Sequence, residues 1–208
     1  MIHKIIVKII LRLHTFLYGW AGFFSVKAEG GIHPKHRLTN YHKFFVDNIK
    51  SNDSVLDIGC GKGELTFDLA QKAKNVVGID FNEKSIDLAK NKFSAFNIKY
   101  ILGNVTEDLP CEKFDVLILS NVLEHIENRV EFLNKIKRLG DKILIRVPMI
   151  NRDWITLYKK ELGLEWRLDG GHFTEYTLES FKKEIEEAGL IIQDYSIQFS
   201  EIWAVINS

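Results

Sequence analysis

VLDIGCGKGELT, residues Val55 to Thr66, is the stretch on which the reading of the whole chain turns. An apolar run ends at Asp57-Ile58. Gly59, Gly61 and Gly63 then alternate with Cys60 and Lys62, and a helical pattern follows. Glycine has no Cβ, so a ligand can come close to main-chain N–H groups in such a turn. In an open α/β sheet, ligands bind beyond the C-terminal ends of the strands, which is where this turn sits. A dinucleotide fingerprint reads G-x-G-x-x-G. Here its last glycine position is Glu64, which favours a ligand other than a pyrophosphate.

Working outward, short apolar runs alternate with helical patterns from Ser51 onward. Strands are expected at 54–58, 75–79, 99–102, 114–119 and 142–147, with helices at 63–72, 83–93 and 127–139. An irregular, aromatic-rich stretch follows. Thr177 then caps a helix whose apolar face is Leu178, Phe181, Ile185 and Ala188, and Gly189 ends it. Two last strands, 190–199 and 202–206, are separated by only Ser200-Glu201, a link short enough to join antiparallel strands alone. The expected fold is α/β: a doubly wound, mostly parallel seven-stranded sheet with a C-terminal antiparallel hairpin. It divides into an N-terminal segment, 1–50, and a ligand-binding domain, 51–208.

Strand two ends at Gly78-Ile79-Asp80, placing a carboxylate 17 residues after Gly63. A carboxylate there can accept hydrogen bonds from both hydroxyls of a ribose. Phe81 follows and can lie against an adenine ring. The plainer role for Asp80 is to cap the helix starting near Glu83.

Composition narrows the function classes. The 208 residues carry 28 Lys plus Arg and 28 Asp plus Glu, so no basic excess points to nucleic acid. With 46% apolar residues and three prolines, the chain is neither disordered nor linker-rich. Cys60 and Cys111 lack the spacing of a zinc ribbon or disulfide scaffold, which suits a reducing cytoplasm.

The neutral total hides an asymmetry. Residues 1–50 hold eight Lys/Arg against Glu29 and Asp47, a net of +6, leaving −6 on the remainder. From Ile2 to Trp20, apolar residues recur at helical spacing, and Lys4, Lys8 and Arg12 share one stripe. Lys8 and Arg12 interrupt any signal-peptide core. Two readings follow: a helix docked on the body, or a helix lying on a membrane surface, with peripheral contact through residues 1–26.

At this point the residues resemble the class I S-adenosylmethionine-dependent methyltransferases, in a Rossmann-like fold. The likeness runs through VLDIGCGKG, VVGIDFNEKSIDLAK, GNVTEDLP, FDVLILSNVLEHI and the C-terminal hairpin, covering roughly 51–207. It implies S-adenosylmethionine as cofactor, with Asp57, Gly59, Cys60, Gly61 and Gly63 around the methionine moiety. It further implies Asp80 on the ribose, Phe81 beside the adenine, Asn104 and Val105 at the adenine edge, and Ser120 near the sulfonium. Asn104 departs from the family's usual Asp. Arg37, 20 residues before Asp57, is a candidate partner for the cofactor carboxylate.

Methyl transfer from a sulfonium needs alignment of acceptor, carbon and sulfur, and removal of a proton if the acceptor is a hydroxyl. His125 in SNVLEHI and His172 in DGGHFTEYT are the candidate bases, since histidine titrates near neutral pH. Each also has a structural reading, His125 as a hydrogen bonder at a helix start and His172 as a loop brace. His33 and His36 are candidates for positioning the leader or touching the cofactor. No metal is expected, because adjacent residues such as Glu124 and His125 point apart on a helix. Residues 149–176, with Arg152, Trp154, Tyr158, Trp166, Arg167 and Tyr176, form the expected acceptor lid or a small helical cap.

The favoured acceptor is a hydroxyl on a glycan or related small molecule, by likeness to small bacterial methyltransferases of surface-glycan or lipid-linked metabolism. A quinone-like, lipophilic acceptor comes second. An NAD(P)-linked oxidoreductase and a non-catalytic cofactor-binding adaptor are the competing classes; the glycine spacing and terminal hairpin oppose the first.

Overall fold

The computed structural model describes residues 2–207. Its sheet contains β1 (Ser54–Ile58), β2 (Asn75–Asp80), β3 (Ile98–Leu102), β4 (Val116–Ser120), β5 (Lys142–Pro148), β6 (Ile191–Gln198) and β7 (Glu201–Asn207). The spatial order is β3-β2-β1-β4-β5-β7-β6, and β7 runs opposite to the other six strands. β1 pairs with both β2 and β4, so the order reverses there and leaves a crevice above its C-terminal end. Val55, Leu56 and Ile58 are fully buried because helices cover both faces of the sheet.

The helices are α1 (Ile2–Ala28), α2 (Lys35–Thr39), α3 (Tyr41–Asp47), α4 (Glu64–Ala70), α5 (Glu83–Lys92), α6 (Arg129–Ile136), α7 (Trp154–Glu161) and α8 (Leu178–Glu187). One apolar layer joins α6 and α8 to the sheet through Phe132, Leu133, Phe181 and Ile185. The other joins α3 and α4 through Tyr41, Phe45, Leu65 and Leu69. α8 begins with a reciprocal capping box between Thr177 and Ser180.

The expected doubly wound sheet and terminal hairpin are present, with informative shifts. The hairpin turns on Phe199 and Ser200, both at positive φ (51° and 60°), the pair of left-handed residues a two-residue turn between twisted strands requires. Phe114 belongs to no strand; it is buried ahead of β4, and its N–H donates to Leu139 O. α1 continues eight residues beyond Trp20, with Leu11 its only buried residue. α2 and α3 went unread because helices of five and seven residues carry too few periodic positions to show.

Candidate active site

The glycine loop is shaped by three left-handed residues, Gly59, Gly61 and Gly63, at φ of 72°, 55° and 88°. A Cβ at Gly63 would lie 2.6 Å from the Tyr100 hydroxyl and 2.8 Å from Ala89 Cβ, so the space as well as the dihedral demands glycine. The loop offers fewer N–H groups to a ligand than its sequence suggests. Those of Gly59 and Cys60 donate to Ile79 O, that of Gly61 to Asp80 Oδ2, and that of Gly63 to Cys60 O. What the glycines provide is a close, side-chain-free approach to backbone that is already bonded to strand two.

Asp57 lies beneath the loop, 1% exposed, accepting from Thr66 Oγ1 at 2.6 Å. Burial pushes its pKa up to about 7 against the effect of that hydrogen bond. Cys60 is also buried, and burial pushes its thiol well above the ordinary range. It therefore stays protonated and unreactive.

Gly59, Asp80, Phe81, Asn104, Val105 and His125 line one crevice of about 470 Å³. Asp80 is tied down by both oxygens: Oδ2 accepts from Gly61 N at 2.9 Å and Oδ1 from Asn82 N at 2.8 Å. Each oxygen keeps a second lone pair, the acceptor pair a sugar diol needs. The helix-capping role falls instead to Asn82, whose side chain accepts from Ser85 N. Phe81 is 75% exposed at the crevice mouth, free to cover a flat ring. Asn104 Oδ1 accepts from the backbone N–H and the hydroxyl of Thr106. Its amide nitrogen is left to donate, the opposite polarity to a carboxylate at this position. The crevice thus fits an adenosine-bearing cofactor in shape and donor set.

The other end of the crevice is built from distant segments. His125 sits on a one-turn 3₁₀ helix, Leu123–His125, and His172 reaches it from the lid with ring centroids 4.6 Å apart. His172 Nδ1 lies 3.0 Å from Glu175 Oε1, and Glu175 also pairs with Arg152. Burial pushes Glu175 up, but the hydrogen bonds from His172 and Leu168 and the Arg152 charge bring its pKa below the ordinary value. Burial and the neighbouring His172 lower the pKa of His125, leaving it neutral at pH 7. Glu124 is fully buried, with Oε1 accepting from Asn121 Nδ2 at 2.7 Å. Oε2 and Asn121 Oδ1 are buried without partners among the described residues. Burial raises the Glu124 pKa to about 7.

Glu124 and His125 do not point apart as adjacent residues on an α-helix would. Within the tight turn, and with His172 joining from the lid, ligand atoms of all three lie within 4.8 Å of one another. Tyr176, read as part of an acceptor lid or a small helical cap, is a buried brace whose hydroxyl donates to Glu184.

Ser120 ends β4, and its hydroxyl accepts from Arg146 Nη1 at 3.3 Å. Arg37 is not brought to the crevice; it is exposed and pairs with Glu29 at 3.0 Å. Its neighbours occupy the space near β1 and β5. His42 Nδ1 lies 2.6 Å from Asp68 Oδ2, and His42 Nε2 lies 3.1 Å from His36 Nδ1. Burial and the charges around it lower the His36 pKa to about 4. Tyr41 lies under the Arg146 guanidinium at 3.7 Å, and Arg146 makes two bonds to Glu201, at 2.6 and 2.7 Å. Sequence reading passed over this cluster, although an Arg inside the apolar run KILIRVP signals a buried charge that needs a partner.

Known proteins resemble this chain in sequence and in fold. The model of a family described as "Methyltransferase domain" matches residues 49–155. A ubiquinone biosynthesis O-methyltransferase of Rickettsia bellii is 36% identical over 127 residues, covering 56% of this chain and 53% of that protein. The chain therefore spans about half the length of this and similar curated relatives. A namesake from Bradyrhizobium sp. is 27% identical over 214 residues, with 85% of each chain covered. Among solved structures, an S-adenosylmethionine-dependent methyltransferase from Clostridium acetobutylicum superposes with a TM-score of 0.66 at 14% identity, over 92% of this chain and 98% of its own. A TehB-like SAM-dependent methyltransferase from Corynebacterium glutamicum gives 0.63 at 18%, over 95% and 99%. With the family model matched over half its length, the chain belongs to the class I S-adenosylmethionine-dependent methyltransferases.

Proposed function

We propose that this protein O-methylates a ring hydroxyl of a lipophilic, quinone-like acceptor, with His125 taking the proton. The observation that carries the reading is that Asp80 and His125 line the same crevice. Asp80 would hold the ribose of a cofactor at one end of this crevice, with the neutral imidazole of His125 at the other. S-adenosylmethionine, when bound, supplies an electrophilic methyl group. Asp80 accepts from the ribose hydroxyls, Phe81 and Val105 cover the adenine, and Asn104 donates to its edge. Gly59, Gly61 and Gly63 would let the methionine end approach the backbone over Asp57 and Cys60, with Ser120 at the end of the neighbouring strand β4. His172, held by Glu175, fixes the ring of His125 and is the second candidate base.

The names of the curated relatives favour a quinone precursor over the glycan hydroxyl, which no relative named above supports. The exposed apolar surface of α1 is in keeping with a lipophilic acceptor met at a membrane by a cytoplasmic enzyme. Incubation with deuteromethyl-labelled S-adenosylmethionine and a prenylated phenol, followed by mass spectrometry, tests the reading. Labelled ring ether is expected. Cofactor binding without label in any extract metabolite would instead identify a non-catalytic adaptor.

A second route to deprotonation has its own observation, the partnerless Glu124 Oε2 and Asn121 Oδ1 beside His125 and His172. A divalent cation held there would lower the pKa of a bound hydroxyl. Stripping with EDTA separates the routes: turnover that survives belongs to His125 alone.

A further inference from the structure

α1 is attached to the body along one narrow side and presents its widest apolar side outward. Only Leu11 is buried, flanked on the same side by the part-buried Val7, Thr15, Gly22 and Ser25. At 100° per residue, Ile2, Ile6, Ile9, Leu13, Trp20 and Phe24 fall on the opposite side, within an apolar arc of roughly 140°. These six side chains are between 46% and 65% exposed. Arg12 and the half-buried Lys8 lie on a flank between the two sides, the exposed Lys4 continues their stripe onto the attached side, and Lys27 enters the arc in the last turn. No acidic residue occurs anywhere from Ile2 to Ala28. Trp20 and Phe24 stack at 5.3 Å on the outward face, the kind of aromatic pair that settles at a headgroup boundary.

From this arrangement we infer that α1 docks the protein flat on an anionic lipid bilayer, apolar arc inward and basic flank against the headgroups. Charge complementarity selects this occupant: an apolar arc would also suit a second copy, but a cationic rim without one acidic residue would repel its own kind. By length and composition α1 is also able to span a membrane. Its attachment argues for lying flat. Leu11 is packed against the body, and His14 Nδ1 lies 3.2 Å from Lys159 Nζ of α7. Spanning would tear these contacts and carry Lys8 and Arg12 through hydrocarbon.

Docking would also hold the lid close behind α1, about one helix diameter from the surface. α1 and the lid enclose a cavity of about 160 Å³ lined by His14, Tyr18, Arg152 and Trp166, among others. Arg152 is one ion pair from Glu175, which holds His172 beside His125. This arm rests on the proposed lipophilic acceptor, whereas the docking does not.

The test is flotation of the full chain with phosphatidylcholine vesicles carrying about 30% phosphatidylglycerol, against pure phosphatidylcholine. Binding to the anionic vesicles that weakens with salt is expected. Ile9→Asp with Leu13→Asp should lower it at least about 100-fold, while Phe96→Asp, on a fully exposed side chain elsewhere, leaves it unchanged. Calorimetric S-adenosylmethionine binding, equal in all three proteins, shows that they are folded. Absence of flotation, flotation unaffected by the double substitution, or a dimer in sedimentation that the same substitution splits would each overturn the docking. Failure to bind S-adenosylmethionine would sink the methyltransferase reading and leave the docking standing.

Discussion

The two ends of the crevice are built differently. At the cofactor end, the loop, Asp80 and Phe81 come from a short stretch of chain, and their contacts close between adjacent parallel strands. At the acceptor end, His125 meets a lid residue 47 positions later, and the lid leans on a helix from the start of the chain. The first end is held by main-chain geometry and the second by side-chain pairs, so the two should fail in different ways.

The largest expected effect lies at the acceptor end. His125→Ala should lower turnover by about 10²–10⁴-fold with little change in S-adenosylmethionine affinity. Steady-state kinetics beside calorimetry checks this, and an equal loss in both would erase the distinction between the ends. Asp80→Ala is the mirror experiment. It should weaken cofactor binding by about 10–100-fold, because a charge-assisted pair of acceptors is lost, while the turnover of saturated enzyme changes less.

Gly63→Ala sharpens the contrast through stability. Its Cβ would meet Tyr100 and Ala89 at a left-handed dihedral, so denaturant unfolding should show a loss of about 2–4 kcal/mol. Gly171→Ala in the lid, whose nearest contact would be Asp169 Oδ1 at 3.2 Å, should cost less than about 1 kcal/mol. Reversed ranks would mean that the lid, not the loop, is the rigid element.

The smallest effect is read in pH. His36 has a folded pKa of about 4, below the ordinary 6.5, so its neutral form belongs to the folded state. The stability it contributes is fully present above pH 6.5 and is lost as pH falls through 4. Between pH 7 and 4.5, wild type should lose of the order of 1–2 kcal/mol more than His36→Gln. Parallel pH profiles for the two proteins would show that His36 is not held neutral by its surroundings.

How much was legible follows the same division. Strand positions held to within about two residues, because apolar runs buried on both faces leave a local mark. Asp80 was found by its distance from the glycine loop, a spacing set by one β-α-β unit. Arg37 was placed by sequence distance too, but α2 turns it outward to Glu29 and brings the Asp68–His42–His36 chain inward. Glu124 looked unremarkable as the neighbour of His125, and only its burial without a partner for Oε2 marks it.

The sequence by itself determined the sheet, the glycine turn, the carboxylate that closes strand two and the amphipathic character of the leader. Those follow from periodicities and dihedral demands that act over a few residues. Which face of α1 meets the body, that His172 reaches His125, and that Arg146 finds Glu201 were decided only in three dimensions. Contacts between segments far apart in the chain depend on how whole elements pack, and no local pattern records that.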